Sequence, residues 1–241
     1  MQEVAFAAAG VDARYVKLPL PAALFDETVR SLPGSGYRGV NVTIPHKQAA
    51  LRVADEATPT ALAVGAANTL TFEDGRIEAD NTDAGGFLAA LDTNVEGVTA
   101  VVLGAGGAAR AVVWALKDAG AAHVLVWNRT EARARALAAD FGVSVIARPQ
   151  ACDLLVNATS VGLHPQDDVA QLGLDRFAPP PMVADLVYEA GGDTPVAAWG
   201  RRAGARVTAG HEMLVRQGAL SFERWTGRAA PLDAMRRALR G

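Results

Sequence analysis

A lysine and an aspartate each follow an apolar run, at positions where a side chain can transfer protons. In residues 39–47 (GVNVTIPHK), apolar and polar residues alternate over 40–44, which predicts a strand that Pro45 ends. Lys47 therefore lies on the first turn of the next helix, and residues 80–83 (DNTD) place a carboxylate after another apolar run. An amine and a carboxylate at strand ends can serve as an acid–base pair. On position alone, an ordinary charge at the start of a helix explains Lys47 better.

A glycine-rich loop indicates a second kind of chemistry, the binding of phosphate groups. The predicted strand 98–103 leads directly into the pattern G-x-G-x-x-A, formed by Gly104, Ala105, Gly106, Gly107, Ala108 and Ala109. The first glycine permits a tight turn, the second lets the backbone approach a pyrophosphate, and the alanine allows close packing of helix on strand. Because a strand precedes the loop and a helix follows it, the pattern favours nucleotide binding over a simple turn.

Arginine takes the place of the usual acidic residue after the next predicted strand, 124–127. A nucleotide with a free 2′-hydroxyl usually meets Asp or Glu here, whereas this chain has Asn128, Arg129 and Thr130, with Arg133 one helical turn later. Guanidinium groups match the geometry of phosphates and keep their charge. The sequence therefore predicts that Arg129 binds the 2′-phosphate of NADP, and a solvated position is a fair alternative for Arg133.

The totals for the whole chain argue against several classes of protein. The 241 residues carry 23 Lys and Arg against 26 Asp and Glu, a net charge of −3, which disfavours general binding to nucleic acid or to membrane surfaces. The single cysteine, Cys152, allows no internal disulfide, and the first residues lack a signal-peptide pattern, so we expect a cytoplasmic protein. The four histidines are scattered, and no metal site is expected.

The alternation of strands and helices predicts an α/β fold with a parallel sheet in its later part. Strands are predicted at 14–18, 40–44, 76–79, 98–103, 124–127, 143–146, 153–156, 182–186 and 205–208, and residues 63–72 are predicted to lead into a short strand that contains Asn68 and Thr69. Helices are predicted at 3–9, 22–32, 48–53, 85–91, from the glycine loop to 119, 130–141, 194–203, 211–225 and 232–240. The helix at 22–32 should bury Leu24, Phe25, Val29 and Leu32 on one side. Asp74 and Gly75 predict a hairpin.

Taken together, these motifs resemble the shikimate dehydrogenase family. The resemblance rests on residues 39–47, on Asn68 with Thr69, on residues 80–83, on the glycine loop and on the Asn-Arg-Thr run. These motifs agree with the family in order and spacing over nearly the whole chain. The resemblance implies a reversible, NADPH-dependent reduction of 3-dehydroshikimate to shikimate.

The resemblance also implies roles for individual residues. Lys47 and Asp83 are the implied catalytic pair. The implied substrate contacts are Thr43, Asn68, Asp83, Tyr188 and Gln217. The implied cofactor contacts are Gly104, Ala105, Gly106, Gly107, Ala108, Asn128, Arg129, Thr130, Arg133, Thr159, Ser160, Val187, Gly210 and Met213.

Two domains are implied as well, and two other functions stay open. The first is a substrate-binding α/β domain at 1–90, completed by helices at 211–241, and the second is a Rossmann-type domain with a doubly wound parallel sheet at 91–210. The expected partners are the small-molecule substrate and NADP, with no nucleic acid and no membrane, in a monomer or homodimer. The alternatives are an NAD-dependent quinate/shikimate dehydrogenase, which Arg129 argues against, and a non-catalytic relative that binds NADP or a metabolite.

Two parts of the sequence depart from the family pattern. Family members begin with a strand and a serine-x-serine-proline segment that binds the substrate carboxylate, whereas Met1 here aligns with the start of the first helix. We therefore expect the natural chain to extend upstream by on the order of twenty residues, enough for one strand and a turn. The proline-containing loop that follows Tyr188 in the family is replaced by residues 189–192 (EAGG).

Overall fold

The structure, a computed structural model, describes residues 1–188 and 192–239. It contains two compact units. The first unit comprises Met1–Gly86 and Val215–Leu239, and the second unit comprises Phe87–Leu214. The substrate-binding and NADP-binding roles of the two domains stay predictions.

Helices and strands alternate along the described chain, as the sequence pattern predicts. The helices are α1 (Gln2–Ala8), α2 (Phe25–Ser31), α3 (Lys47–Val53), α4 (Pro59–Val64), α5 (Thr82–Leu91), α6 (Gly107–Asp118), α7 (Glu131–Phe141), α8 (Pro195–Arg202), α9 (Gly210–Thr226) and α10 (Leu232–Arg237). The strands are β1 (Gly39–Asn41), β2 (Glu56–Ala57), β3 (Thr69–Glu73), β4 (Arg76–Asp80), β5 (Thr99–Leu103), β6 (His123–Trp127), β7 (Ser144–Val145), β8 (Leu154–Asn157), β9 (Met182–Asp185) and β10 (Arg206–Ala209).

The first unit is built on a four-stranded mixed sheet in the order β1-β3-β4-β2. β3 pairs antiparallel with both β1 and β4, and β2 pairs parallel with β4. The predicted hairpin is present between β3 and β4, where Asp74 and Gly75 have φ values of 49° and 75°. Phe25, Val29 and Leu70 belong to the core of this unit. The sheet brings the residues that precede β3 and follow β4 next to each other.

The predicted strand at 14–18 is wrong, because no described strand pairs with this segment. A strand needs backbone hydrogen bonds from a neighbour, and here the bond from Tyr15 N–H goes to the side chain of Glu3. The strand predicted at 40–44 is also too long. Val42 N–H still donates to Asn68 O at 2.7 Å, but β3 offers no partner beyond that point. The chain turns, and Ile44 is 73% exposed.

The prediction for the second helix is wrong in part, and α4 was not predicted. Leu24 is 50% exposed, because residues Ala22–Leu24 form a 3₁₀ turn that places its side chain off the apolar face of α2. α4 has a local signal that was overlooked: Thr58 accepts a hydrogen bond from Ala61 N–H at 3.2 Å, and Pro59 follows it at the first helical position. Residues 189–191, on which the predicted change of loop depends, lie outside the described residues.

The second unit contains a six-stranded sheet in the order β10-β9-β8-β5-β6-β7, with every pairing parallel. Read from β7, this is the order 3-2-1-4-5-6 of a doubly wound sheet, which confirms the predicted fold class. The central strands β5 and β8 are apolar and buried along most of their length, as expected for strands covered on both faces. The strand order reverses between β5 and β8, so their carboxyl ends form the crevice where such sheets bind ligands. No helix in the described ranges is long and apolar enough to cross a membrane.

Candidate active site

Lys47 and Asp83 form a close, largely buried ion pair in the first unit. Lys47 is the first residue of α3, and Asp83 lies in the first turn of α5. The distance from Lys47 Nζ to Asp83 Oδ2 is 2.5 Å, and the two side chains are 13% and 8% exposed. An ion pair at this depth is screened much less than a surface pair. The sequence places the two residues 36 positions apart, and the sheet brings them together.

Asn68 holds the other oxygen of the Asp83 carboxylate. Its Nδ2 donates to Asp83 Oδ1 at 2.9 Å, and its Oδ1 accepts from Thr82 N–H at 2.8 Å. The backbone N–H of Thr82 can only donate, which fixes the orientation of the Asn68 amide. Gln217 on α9 lies within reach, with its Oε1 3.2 Å from Asn68 Nδ2. Four of the predicted site residues therefore meet at one place: Lys47, Asn68, Asp83 and Gln217.

Two further predicted substrate contacts, Thr43 and Tyr188, are exposed side chains. Thr43 is exposed in the turn between β1 and α3, where its carbonyl accepts from His46 N–H at 2.9 Å. Tyr188 belongs to the second unit, follows β9 and is 51% exposed. Neither observation tests a contact with substrate, so both roles stay predictions.

The glycine loop of the second unit leaves its backbone open to a ligand. Gly104 has a φ of +117°, and a Cβ placed there would come within 2.6 Å of Ala158 O, so only glycine fits. A Cβ at Gly106 would meet no atom within 4 Å, and no described side chain caps the N-terminus of α6. The first N–H groups of α6 are therefore available to an anion. Ala109 is fully buried, which agrees with its predicted packing role.

The turn after β6 presents two arginines to solvent. Asn128 Nδ2 donates to Thr130 O at 2.9 Å and closes the turn. Arg129 and Arg133 are exposed, and neither guanidinium has a hydrogen-bonding partner among the described residues. Arg135 differs, because it pairs with Glu131 at 2.6 Å. Two available guanidinium groups beside the crevice are consistent with binding of a phosphate.

A buried clasp joins the carboxyl ends of β8 and β9. Asp185 accepts hydrogen bonds from Asn157 Nδ2 at 2.8 Å, from Val187 N–H at 3.1 Å and from the Thr194 hydroxyl. Burial raises the pKa of Asp185 to about 6, and these hydrogen bonds lower it only in part. The predicted cofactor residue Thr159 joins the clasp by donating to Asn157 Oδ1 at 2.7 Å. These contacts of Asp185 were not predicted from the sequence.

The other predicted cofactor residues lie around the end of β9 and the start of α9. Val187 is buried, and a Cβ at Gly210 would come within 2.5 Å of Val187 O, so these two segments touch. Met213 is 7% exposed on the part of α9 that belongs to the second unit, whereas Gln217 lies on the part that belongs to the first. Ser160 is exposed after β8.

Three buried hydroxyl groups beside Asn68 had no role predicted from the sequence. Thr69, Thr82 and Ser221 have oxygen–oxygen distances of 2.8 to 3.3 Å and are at most 2% exposed. A signal for Ser221 exists, because it follows Gln217 by four residues and shares its face of α9. In the described ranges, no three side chains of His, Cys, Asp or Glu are grouped so that they could hold a metal ion.

Three family models match parts of the chain. The family model described as the shikimate dehydrogenase substrate binding domain matches residues 1–70. The model for shikimate/quinate 5-dehydrogenase matches residues 88–160, and the model for the shikimate 5'-dehydrogenase C-terminal domain matches residues 210–240.

Individual relatives are similar over nearly the whole chain. The NADP(+) shikimate dehydrogenase of Methanothermobacter thermautotrophicus is 40% identical, over 100% of this chain and 90% of its own. That of Methylobacterium radiotolerans is 46% identical, over 90% of this chain and 82% of its own. The crystal structure of shikimate 5-dehydrogenase from Thermus thermophilus, in complex with NADP(H) and shikimate, has a TM-score of 0.90 and 38% identity, over 99% of this chain and 92% of that one. The chain therefore belongs to the shikimate dehydrogenase family.

Proposed function

We propose that this chain catalyses the reversible, NADPH-dependent reduction of 3-dehydroshikimate to shikimate. One observation carries the proposal: Lys47 Nζ lies 2.5 Å from one oxygen of Asp83, while Asn68 donates to the other. A buried and oriented amine–carboxylate pair suits the transfer of a proton to a ketone oxygen. The names of the relatives, NADP(+) shikimate dehydrogenase, support the choice of substrate and cofactor.

The residues of the first unit take complementary parts in the reaction. In the direction of reduction, Lys47 donates a proton to the ketone oxygen, and in the direction of oxidation it accepts the proton back. Asp83 orients the amine and balances its charge. Bound NADPH supplies the hydride that reduces the ketone carbon. Asn68 and Gln217 offer amide groups, and Thr43 offers a hydroxyl group, for hydrogen bonds to the ring hydroxyls.

The selectivity for shikimate follows from these polar groups. A site that is built to hydrogen-bond hydroxyl groups rejects analogues that lack them, because its own buried polar groups would stay unpaired. We also propose Tyr188 as a substrate contact, since its half-exposed phenol ends in a hydroxyl.

The residues of the second unit fit NADP. The open glycine loop and the uncapped start of α6 suit a pyrophosphate, and Arg129 with Arg133 suits the 2′-phosphate. The nicotinamide side is assigned to Thr159, Ser160, Val187, Gly210 and Met213, which follow β8, follow β9 or open α9. Asn128 and Thr130 shape the turn that carries Arg129.

A spectrophotometric assay tests the proposed function. The purified chain is mixed with shikimate and either NADP or NAD, and the formation of reduced nicotinamide is followed at several concentrations of each. We expect turnover with NADP and a much lower kcat/KM with NAD. Quinate in place of shikimate tests the specificity for the substrate. If the chain shows no turnover with any of these substrates and cofactors, the non-catalytic alternative, a relative that binds NADP or a metabolite, replaces the proposal.

The state of the protein in the cell is part of the proposal as well. We infer a cytoplasmic monomer or homodimer whose partners are the substrate and NADP and do not include nucleic acid. The mild net charge of −3 supports the absence of a nucleic-acid partner. Size-exclusion chromatography with light scattering would measure the oligomeric state.

A further inference from the structure

Ser221 is a fully buried hydroxyl that the proposed mechanism does not use. It lies on α9, one turn after Gln217, and donates to the Gln217 carbonyl at 3.1 Å. Its Oγ accepts from Asn41 Nδ2 at 2.8 Å and lies 2.8 Å from Thr69 Oγ1. Thr82 Oγ1 is 3.3 Å away. A serine hydroxyl can donate one hydrogen bond and accept two. These contacts use that full capacity, so Ser221 is the centre of a hydrogen-bond network.

One of the hydrogen-bond directions that these distances allow gives every hydroxyl both a donor and an acceptor. Asn68 Nδ2 donates to Thr82 Oγ1 at 3.0 Å, and Thr82 donates to Thr69 at 3.1 Å. Thr69 donates to Ser221 at 2.8 Å, and Ser221 donates to the Gln217 carbonyl. In this direction the Asn68 amide keeps its second N–H for Asp83 Oδ1. The chain of hydroxyls thus connects α9 to the carboxylate that holds Lys47.

We propose that Ser221 is a positioning residue for the reaction, acting through Thr69 and Thr82 to hold the Asn68 amide against Asp83 and against the substrate. The inference rests on the proposed function, because it assigns Asn68 and Asp83 the roles given above. Ser221 itself touches none of the groups that react. It is connected to Asn68 by three buried hydrogen bonds and, through Asn68, to Asp83 by a fourth.

Loss of the Ser221 hydroxyl should make the Asn68 side chain less ordered while leaving the packing of the core nearly unchanged. In Ser221→Ala, Thr69 loses its nearest acceptor, and while Thr82 donates to it the acceptor that remains is Asn68 Oδ1 at 3.3 Å. That oxygen already accepts from Thr82 N–H, so a second donor would compete for it and shift the Asn68 amide. Asp83 then loses a fixed donor, and the substrate loses a fixed amide. Both substrate affinity and turnover should suffer, and NADP affinity should not.

The experiment compares Ser221→Ala, Thr69→Val and the double variant with the parent. Thr69→Val removes a hydroxyl at nearly constant shape, and Thr69→Ser is the matched variant that keeps it. Thr226→Val is the control on α9, because the Thr226 hydroxyl also donates to a carbonyl one turn earlier, that of Phe222 at 2.8 Å, but has no contact with the network. Calorimetry gives Kd for shikimate and for NADP, and the assay gives kcat and KM.

We expect Ser221→Ala and Thr69→Val each to lower kcat and to raise the Kd for shikimate by roughly five- to fifty-fold, the range expected for one broken buried hydrogen bond. The double variant should resemble either single variant, because both break the same chain. Thr69→Ser and Thr226→Val should behave like the parent in kcat and in both Kd values.

The outcomes separate this inference from the proposed function. A parent that neither binds nor turns over shikimate refutes the proposed function, and the positioning role is refuted with it. An active parent whose Ser221→Ala and Thr69→Val variants match it in kcat and Kd refutes the positioning role alone. The positioning role is also refuted if the losses in kcat and in shikimate affinity multiply in the double variant. It is refuted as well if kcat falls only in proportion to the folded fraction while both Kd values stay constant.

Discussion

The acid–base pair is held from two sides. Asp83 receives one hydrogen bond from Lys47 and another from Asn68, so neither oxygen of the carboxylate is free to rotate away. Loss of one partner of a buried pair leaves the other charge uncompensated. At the scale of single residues, the structure therefore ties the chemistry of Lys47 to the integrity of a small buried cluster.

Replacement of either member of the pair should abolish most of the turnover. We expect Lys47→Ala and Asp83→Ala each to lower kcat by ~10²–10⁴-fold, the usual contribution of a positioned acid or base. The Kd for NADP should change little, because its proposed contacts lie in the other unit. Lys17→Ala, which removes an exposed lysine, is the control. Parental turnover by Lys47→Ala would rule out the pair as the catalytic group.

Preference for NADP should depend on Arg129. We expect Arg129→Ala to lower kcat/KM for NADP by roughly ten- to a hundred-fold, since a charged hydrogen bond to phosphate contributes about 1.5–3 kcal/mol, and to leave the value for NAD nearly unchanged. Arg135→Ala is the matched control, because Arg135 lies close by on α7 but already pairs with Glu131. Equal use of both cofactors by the parent would contradict this assignment.

Asp185 should make the folded state less stable as the pH rises. Its pKa is about 6 in the folded state against 3.8 for an ordinary aspartate, so the folded chain binds the proton more tightly. The stabilising effect is complete below pH 3.8 and is lost as the pH rises through 6. Between about pH 5 and about pH 7.5 we expect a loss of about 1.4 kcal/mol from this group.

Urea unfolding of the parent and of Asp185→Asn at these two pH values measures this loss. The amide cannot ionise and still offers an oxygen to Asn157 and to Val187 N–H. The variant should therefore lack this part of the pH dependence. The same slope in both chains would show that Asp185 does not titrate in this window.

At the scale of elements, the close approach of α5 and α9 positions Gln217. A Cβ at Gly86 would come within 2.7 Å of the Gln217 backbone nitrogen, which cannot move without the helix. A Cβ at Gly85 would meet only the tip of the Leu220 side chain, at 3.2 Å. A larger side chain at Gly86 would therefore collide with backbone, whereas one at Gly85 would only displace a flexible side chain.

This difference gives a pair of variants that differ by one position. We expect Gly86→Ala to destabilise the first unit by about 1–3 kcal/mol, as overpacking does, and to raise KM for shikimate because Gln217 is displaced. Gly85→Ala should be neutral or stabilising by up to about 1 kcal/mol, because alanine favours the helix. Urea midpoints and KM values measure both. Equal stability of the two variants would contradict this, because it would mean that the α9 backbone at Gln217 shifts at little energetic cost.

At the scale of the whole molecule, each ligand should protect its own unit. NADP at about a hundred times its Kd stabilises the groups it binds by ~2.7 kcal/mol, so amide exchange should slow at residues 104–109 and 128–133. Shikimate should slow exchange at residues 41–47, 66–70 and 80–84. Hydrogen-exchange mass spectrometry with each ligand alone measures this, with NAD as the control for NADP. Protection by NADP in the first of these shikimate segments would contradict the proposed roles of the two units.

Most of the fold followed from the sequence where a pattern is local. The glycine loop, the strands β5 and β8 and the hairpin at Asp74 were predicted because φ preferences and apolar runs act over a few residues. The segment 14–18 was predicted wrongly for the opposite reason. Its composition suits a strand, but a strand exists only where a neighbour supplies hydrogen bonds, and that is a property of the tertiary structure.

The sequence by itself determined the residue types that the chemistry requires and their positions at the ends of strands and helices: Lys47, Asn68, Asp83 and Arg129. Only the tertiary structure decided which of them meet. The Lys47–Asp83 contact spans 36 residues and the Thr69–Ser221 contact spans 152. Contacts over such separations depend on how sheet and helices pack, whereas local patterns report only on neighbours in the chain. The acid–base pair could be predicted because its motifs resemble those of the family, whereas the hydroxyl network that supports it became visible only in the folded chain.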